Sequence, residues 1–307
     1  MFNELSKINF APHIIIAMKT KSNHILIPVD FSEQSLIAVS QSYNIAHLYN
    51  SELTLLHVID EDFLHKLKSV FTGNDEYEGK LNLEAQNRLN TLAEEVKQAS
   101  GLKVNTLITS GKIYDEIVRV ANDLNTVFII MGTNGPEGLK KRFIGSNAMR
   151  VINEANCPVI SIKGKVHHKG CKRIVLPLDL SRESRDKVDK TIEVAKYFNS
   201  EIHLVSLNDS SDDFLINKLK LQMKSVEQFI IDAGVEVVSK IINSNDIARS
   251  VLDYAKGADA DLIVIISQAE PEIAEWFLGS AAQEIINSSD IPVMSIKAMK
   301  RAYDYEY

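Results

Sequence analysis

Between Met131 and Arg150 the chain reads MGTNGPEGLKKRFIGSNAMR, in which Gly132, Gly135 and the pair Gly145-Ser146 follow a Gly-x2-Gly-x9-Gly-Ser spacing. Glycine lets a backbone come close to a ligand and tolerates positive φ. If Gly145-Ser146 opens a helix, the unpaired N–H groups and positive dipole end there form a seat for phosphate. The Ser146 hydroxyl adds a hydrogen bond or reaches a metal, and Lys140, Lys141 and Arg142 place positive charge on the segment in between. The chemistry implied is the holding of a phosphorylated ligand. A second stretch, IISQAEPEIAEWFLGSAAQE from Ile265 to Glu284, follows the same outline with different residues. Ile266 and Ala269 replace Gly132 and Gly135, and Ala274, Glu275 and Trp276 replace the basic triplet, while Gly279-Ser280 persists.

The two stretches belong to a repeat. HILIPVDFSEQS (24–35) matches RIVLPLDLSRES (173–184), and NSELTLLHVID (50–60) matches NSEIHLVSLND (199–209), both 149 residues apart. NCPVISIK (156–163) matches DIPVMSIK (290–297) at an offset of 134, so the first copy holds about fifteen extra residues, within 61–81. These read as a longer loop or an extended helix start. In the first copy, the short apolar run Ile25–Val29 reads as a strand buried on both faces, and Leu53–Val58, Lys103–Thr109, Val127–Met131 and Pro158–Ile162 as the strands that follow. Ser32 caps a helix to about Tyr49. The helical spacing of Leu81, Ala85, Leu89, Leu92, Val96 and Ala99 sets a second helix on the sheet. Helices over Ile113–Asp123 and from Gly145-Ser146 to about Glu154 complete the unit, and the second copy has strands at Ile174–Leu178, Ile202–Leu207, Val235–Ile241, Leu262–Ile266 and Pro292–Ile296. Strands separated by helices imply parallel pairing with right-handed crossovers. The fold class is therefore α/β, two tandem open five-stranded parallel-sheet sandwiches. The expected organisation is an N-terminal extension (1–21), a first domain (22–163), a linker (164–172), a second domain (173–297) and a tail (298–307). Ligands of open parallel sheets sit beyond the carboxyl ends of the strands, where Met131 and Asp30 fall.

With 307 residues, 45% hydrophobic and 24% charged, the chain is long enough for two domains of ordinary size. A net charge of −7 argues against nucleic acid and anionic membranes as partners. Cys157 and Cys171 are read as reduced thiols, no CxxC or HExxH spacing occurs, and no apolar run reaches the length of a membrane helix. The apolar patch at 14–17 lacks a basic leader. Residues 1–17 are expected to lie outside the fold, and a cytoplasmic location is expected. GNDEYEGKL (73–81) fails as a Walker loop, since its glycines stand too far apart and acidic residues lie between them. His57 aligns with Ser206 and is expected to bond locally, His167-His168 lacks visible metal partners, and Lys297, Lys300 and Arg301 read as a solvated tail.

The runs ILIPVDFS, LTLLHVID, MGTNG…IGSNA and CPVISIK together resemble the universal stress protein family in its tandem two-domain form, from about residue 22 to 297. The resemblance implies a Rossmann-like, adenine nucleotide alpha hydrolase-like fold and binding of ATP, or of ADP or AMP, with Mg²⁺ or Mn²⁺ bridging the phosphates. It implies that Pro28, Val29 and Asp30 border the adenine and ribose and that Val58 closes the adenine pocket. Met131 ends the strand before the loop, and Gly132, Gly135, Gly145, Ser146 and Asn147 would hold the phosphates. Pro136, without an N–H, and the acidic Glu137 depart from the pattern and favour weaker binding or a shorter nucleotide. Pairing through the fifth strand is also implied, giving an intramolecular pseudo-dimer joined near 158–162 and 292–296, with a homodimer of chains and a signalling partner as further expectations.

Three function classes are compatible with these residues: a nucleotide-binding stress or signalling module, a slow ATPase or nucleotide-processing enzyme, and a ligand-free interaction scaffold. No SGGxDS loop, Walker lysine or nucleophile set is legible, which favours the first with no catalytic residues. The second copy is expected to keep the fold without the nucleotide. Because it carries Ile266, a Gly132→Ile change is expected to abolish binding and leave the fold intact.

Overall fold

The computed structural model describes residues 24–63, 65, 75–133, 144–163, 170–178, 184–208, 212–266 and 278–297. Gly135, Pro136, Glu137, the 140–142 triplet, His167-His168, Asp179, Ala269, the 274–276 stretch, the 1–17 segment, Lys300 and Arg301 lie outside these residues.

In the first unit, strands β1 (His24–Pro28), β2 (Glu52–Asp60), β3 (Val104–Gly111), β4 (Phe128–Gly132) and β5 (Val159–Ile162) alternate with helices α1 (Glu33–Leu48), α2 (Asp75–Ser100), α3 (Ile113–Asp123) and α4 (Ser146–Glu154). The second unit repeats them as β6 (Arg173–Leu178), α5 (Ser184–Phe198), β7 (Glu201–Asn208), α6 (Asp213–Asp232), β8 (Val237–Asn243), α7 (Ile247–Gly257), β9 (Leu262–Ile266), α8 (Leu278–Ser288) and β10 (Val293–Ile296). Part of the inserted stretch lengthens α2, which has 26 residues against 20 in α6.

The strands form one ten-stranded sheet in the order β3-β2-β1-β4-β5-β10-β9-β6-β7-β8. All neighbours are parallel except β5 and β10, which pair antiparallel with Ser161 opposite Val293 and Ile160 opposite Met294. The strand period of two sends Ile25 and Ile27 to one face and Leu26 to the other. The first face packs on α1, α2, α5 and α6, and the second on α3, α4, α7 and α8.

Helix-ending turns recur at the repeat offsets. Ser32 accepts from Ser35 N to cap α1, and the helix ends at Tyr49. Asn50 and Asn199, and then Asn125 and Asp259, follow helices α1, α5, α3 and α7 with positive φ. Asn and Asp tolerate that conformation better than other side chains.

Side chains tie the units beside the β5–β10 ladder. Ser161 Oγ donates to the Val293 carbonyl at 3.2 Å. Lys163 Nζ donates to the Asn287 carbonyl at 2.5 Å, near the end of α8, and Lys297 Nζ donates to the Glu154 carbonyl at 3.2 Å, at the end of α4. Each lysine thus neutralises the negative end of the other unit's last helix. Lys297 is a cap and no part of a solvated tail. Lys190 of α5 lies 4.8 Å from the Tyr49 ring and 4.9 Å from that of Phe128.

Candidate functional site

Because β1 lies between β2 and β4 and all three are parallel, their carboxyl ends form one rim of the first unit. Pro28, Val29 and Asp30 stand at the end of β1, Val58 near the end of β2, and Met131 and Gly132 at the end of β4. Gly145, Ser146 and Asn147 open α4 beside them: Gly145 N–H donates to the Thr133 carbonyl at 2.8 Å, which ties the helix start to the end of β4. The expected residues are thereby gathered on one edge, Gly135 lying outside the described residues.

Asp30 is exposed, and its Oδ1 accepts from Ser32 N–H at 2.9 Å and from Ser32 Oγ–H at 2.5 Å. It therefore also shapes the turn into α1. Next to it Phe31 adopts φ 62°. A bulky side chain in the left-handed region costs about 1–3 kcal/mol and persists only where its surroundings hold it. Arg88 supplies one such contact, 4.1 Å over the Phe31 ring, and His57 another, with ring centroids 5.0 Å apart. His57 Nδ1–H donates to the Val29 carbonyl at 2.7 Å. At the aligned positions Ser206 Oγ donates to the Leu178 carbonyl at 2.7 Å. The repeat preserves the bond with a different donor, which marks His57 as a structural anchor of the rim.

The two described glycines of the motif differ in kind. A Cβ on Gly132 would lie 2.7 Å from the Gln34 carbonyl carbon and 2.9 Å from its Cβ and O. Glycine there is required by the close passage of α1. The expectation that Gly132→Ile leaves the fold intact therefore fails: in the first unit the obstacle is backbone. Among the described residues a Cβ on Gly145 would meet only Thr133 O, at 3.4 Å, and its φ of −60° suits any residue. Gly145 is the N-cap of α4 yet provides no side-chain cap. Among the described residues nothing demands glycine at this position, and Gly145 and Ser146 are exposed.

Gln34 was not legible as a site residue. It is only 4% exposed, and neither Nε2 nor Oε1 finds a hydrogen-bond partner among the described residues. Leaving a buried carboxamide unpaired costs about 1–3 kcal/mol per group. Its backbone carbonyl and Cβ lie against Gly132, and its buried carboxamide carries both a donor and an acceptor. Nothing in the run DFSEQS singles it out, since glutamine in a first helical turn reads as an ordinary solvated residue.

In the second unit Ile266 is buried at the end of β9. The structure adds Lys187, at the position of Ala38. It is 1% exposed, and its Nζ donates to the carbonyl of Pro177, the counterpart of Pro28, at 2.6 Å. An ammonium group of the protein thus occupies the space between α5 and the end of β6. Neither thiol of the chain is poised for chemistry: burial pushes the Cys157 pKa up to about 11 and that of Cys171 up to about 12. Among the described residues no group of three or more His, Cys, Asp or Glu side chains is placed to hold a metal, and no helix is long and apolar enough to cross a membrane.

A duplicated parallel α/β unit with strand order 3-2-1-4-5, carrying a glycine-and-helix rim, defines the class of fold and site. The chain belongs to the universal stress protein family, whose family model matches residues 21–163 and again 170–297. It is 35% identical over 161 residues to universal stress protein MJ0577 of Methanocaldococcus jannaschii, a match spanning 48% of this chain and 99% of that one. Universal stress protein MJ0531 of the same organism is 34% identical over 143 residues, spanning 45% of this chain and 81% of the relative. A crystal structure of a universal stress protein from Archaeoglobus fulgidus superposes with a TM-score of 0.73 at 22% identity, covering 91% of this chain and 97% of that one, which supports the fold across both units.

Proposed function

We infer that the chain is an adenine-nucleotide-binding stress or signalling module whose first unit holds the ligand and whose second unit does not. The observation that carries this is Gly145, a glycine that neither φ nor the packing of the described residues requires, opening a helix with no side-chain cap at the carboxyl rim. The phosphates sit on the N–H groups of Ser146 and Asn147 with the Ser146 hydroxyl, while Pro28, Val29, Asp30 and Val58 border the ribose and base. The orphaned Gln34 carboxamide fits a ligand that both accepts and donates. Ser146 is the residue whose hydroxyl would help hold a divalent ion, Mg²⁺ or Mn²⁺, alongside the nucleotide. Neutralisation of phosphate charge is the chemistry it would supply.

The ligand is bound and sensed; it is not turned over quickly. Because no Walker lysine or nucleophile set is legible in the sequence, any hydrolysis is expected to run well below the usual enzyme range of ~1–10³ s⁻¹. The second unit, with Ile266 and Lys187 at its rim, serves as a structural and regulatory partner. Calorimetric titration with ATP, ADP and AMP tests this: one site per chain is expected. Two sites, or none, would overturn it.

A further inference from the structure

The segment that leads into α4 is held from two sides. Gly145 N–H is bound to Thr133 of its own unit at 2.8 Å, but the preceding Ile144 N–H donates to Oδ1 of Asn287 at 3.2 Å, and Asn287 lies in the last turn of α8 in the second unit. Asn287 is itself held, since its carbonyl accepts from Lys163 of the first unit at 2.5 Å. Lys163 follows β5, Thr133 N–H donates to Ile162 at 3.1 Å, and β4 pairs with β5. The contacts close a ring in which Asn287 bridges Ile144 and Lys163.

We propose that Asn287, supplied by the unit whose own glycine loop is lost, is a positioning residue for the nucleotide site of the first unit. The proposal rests on the nucleotide-binding reading above. A phosphate at α4 is held by N–H groups whose directions are set where the chain enters the helix. Ile144 is the residue before the cap, so its amide governs that entry. Holding it in advance lowers the ordering cost of binding. The second unit therefore contributes a residue to a site it cannot form itself. Asn153 aligns with Asn287 at the offset of 134, so the duplication placed an asparagine in both last helices. Asn287 is the one that reaches the rim of the first unit. Linkage makes the effect reciprocal: nucleotide in the first unit tightens the contact of α8 by the same factor.

The test uses the full chain and the variants Asn287→Leu, Asn287→Asp and Lys297→Met. Hydrogen exchange of the Ile144–Arg150 amides is followed without nucleotide, and ATP affinity is measured by calorimetry. Asn287→Leu removes the acceptor, and loss of one hydrogen bond corresponds to roughly a threefold to tenfold faster Ile144 exchange and a similar rise in Kd. Asn287→Asp keeps an acceptor oxygen and should keep the slow exchange. Lys297→Met loosens the junction at the far end of α4 and should leave Ile144 exchange and the ATP Kd within about twofold of wild type. Unchanged Ile144 exchange in Asn287→Leu would overturn the proposal, as would faster exchange with an unchanged Kd, or a Lys297→Met effect as large as that of Asn287→Leu. A wild-type chain that binds no ATP would sink the nucleotide reading and this role with it. The exchange data would then show separately whether the anchor exists.

Discussion

Gly132 and Gly145 stand in one motif but should respond oppositely to a side chain. In Gly132→Ala the new Cβ would lie 2.7 Å from backbone carbon and 2.9 Å from backbone oxygen of Gln34, where ordinary contact begins near 3.4 Å. The first turn of α1 must move, and overpacking of this kind costs about 1–3 kcal/mol. Per kcal/mol, a domain of 150–250 residues loses roughly 2–4 °C in Tm, so a fall of several degrees is expected. Gly145→Ser meets no such obstacle, and Ser and Gly differ at an N-cap by only a few tenths of a kcal/mol. Its Tm should stay within about a degree of wild type. Its hydroxyl, however, takes the first-turn N–H groups that phosphate would use. Losing one charge-assisted hydrogen bond of about 1.5–3 kcal/mol weakens ATP by roughly tenfold to a hundredfold. Thermal unfolding by circular dichroism and ATP titration of both variants supply the data. Wild-type affinity in Gly145→Ser would remove the phosphates from α4, and an unchanged Tm in Gly132→Ala would refute the steric account.

Gln34→Met replaces an unpaired carboxamide by an apolar chain of similar length. It should raise the stability of the free protein by about 1 kcal/mol or more and weaken ATP, as read by thermal shift with and without nucleotide. His57→Ser copies the donor found at Ser206 and should cost less stability in urea unfolding than His57→Leu, which removes the donor to Val29 and adds about 1–3 kcal/mol of penalty. Buried Cys171 should resist Ellman's reagent in the native chain, half-buried Cys157 should react slowly, and both should react on unfolding. With folded pKa values raised to about 11 and about 12, their contribution to stability is complete below the usual thiol value of about 8.5 and is lost as pH rises from there through 11 and 12. Alkaline unfolding of Cys157→Ala should show a shallower fall over that range.

Much of this architecture can be read from local pattern. The apolar runs of β1, β4 and β9, the Ser32 cap and the bounds of α3 and α4 each depend on a few neighbouring residues. The repeat supplied a second, independent instance of most of them. What escaped depends on distant backbone or on the other unit. Gln34 is exceptional only because Gly132 lies against it, and Lys187 only because the space beside Pro177 has closed around its chain. Lys297 looked like a solvated residue until Glu154, in the other unit, was placed within its reach. The family motif marks Gly132 and Gly145 alike, and only the positions of Gln34 and Thr133 show which glycine serves the fold.

The antiparallel meeting of β5 and β10 also has a kinetic and evolutionary side. Two separate units joined by that seam would dissociate on dilution, whereas here they share one chain and meet at a fixed effective concentration. The pairing is as complete in a sparsely expressing cell as in a crowded one. The seam also consumes both fifth strands, leaving β3 and β8 as the outer strands of the sheet. A second chain seeking the same handshake would have to break this one first. Fusion thereby frees each half to change alone, so one rim can carry Ile266 where the other has Gly132 while the seam that needs both halves is kept.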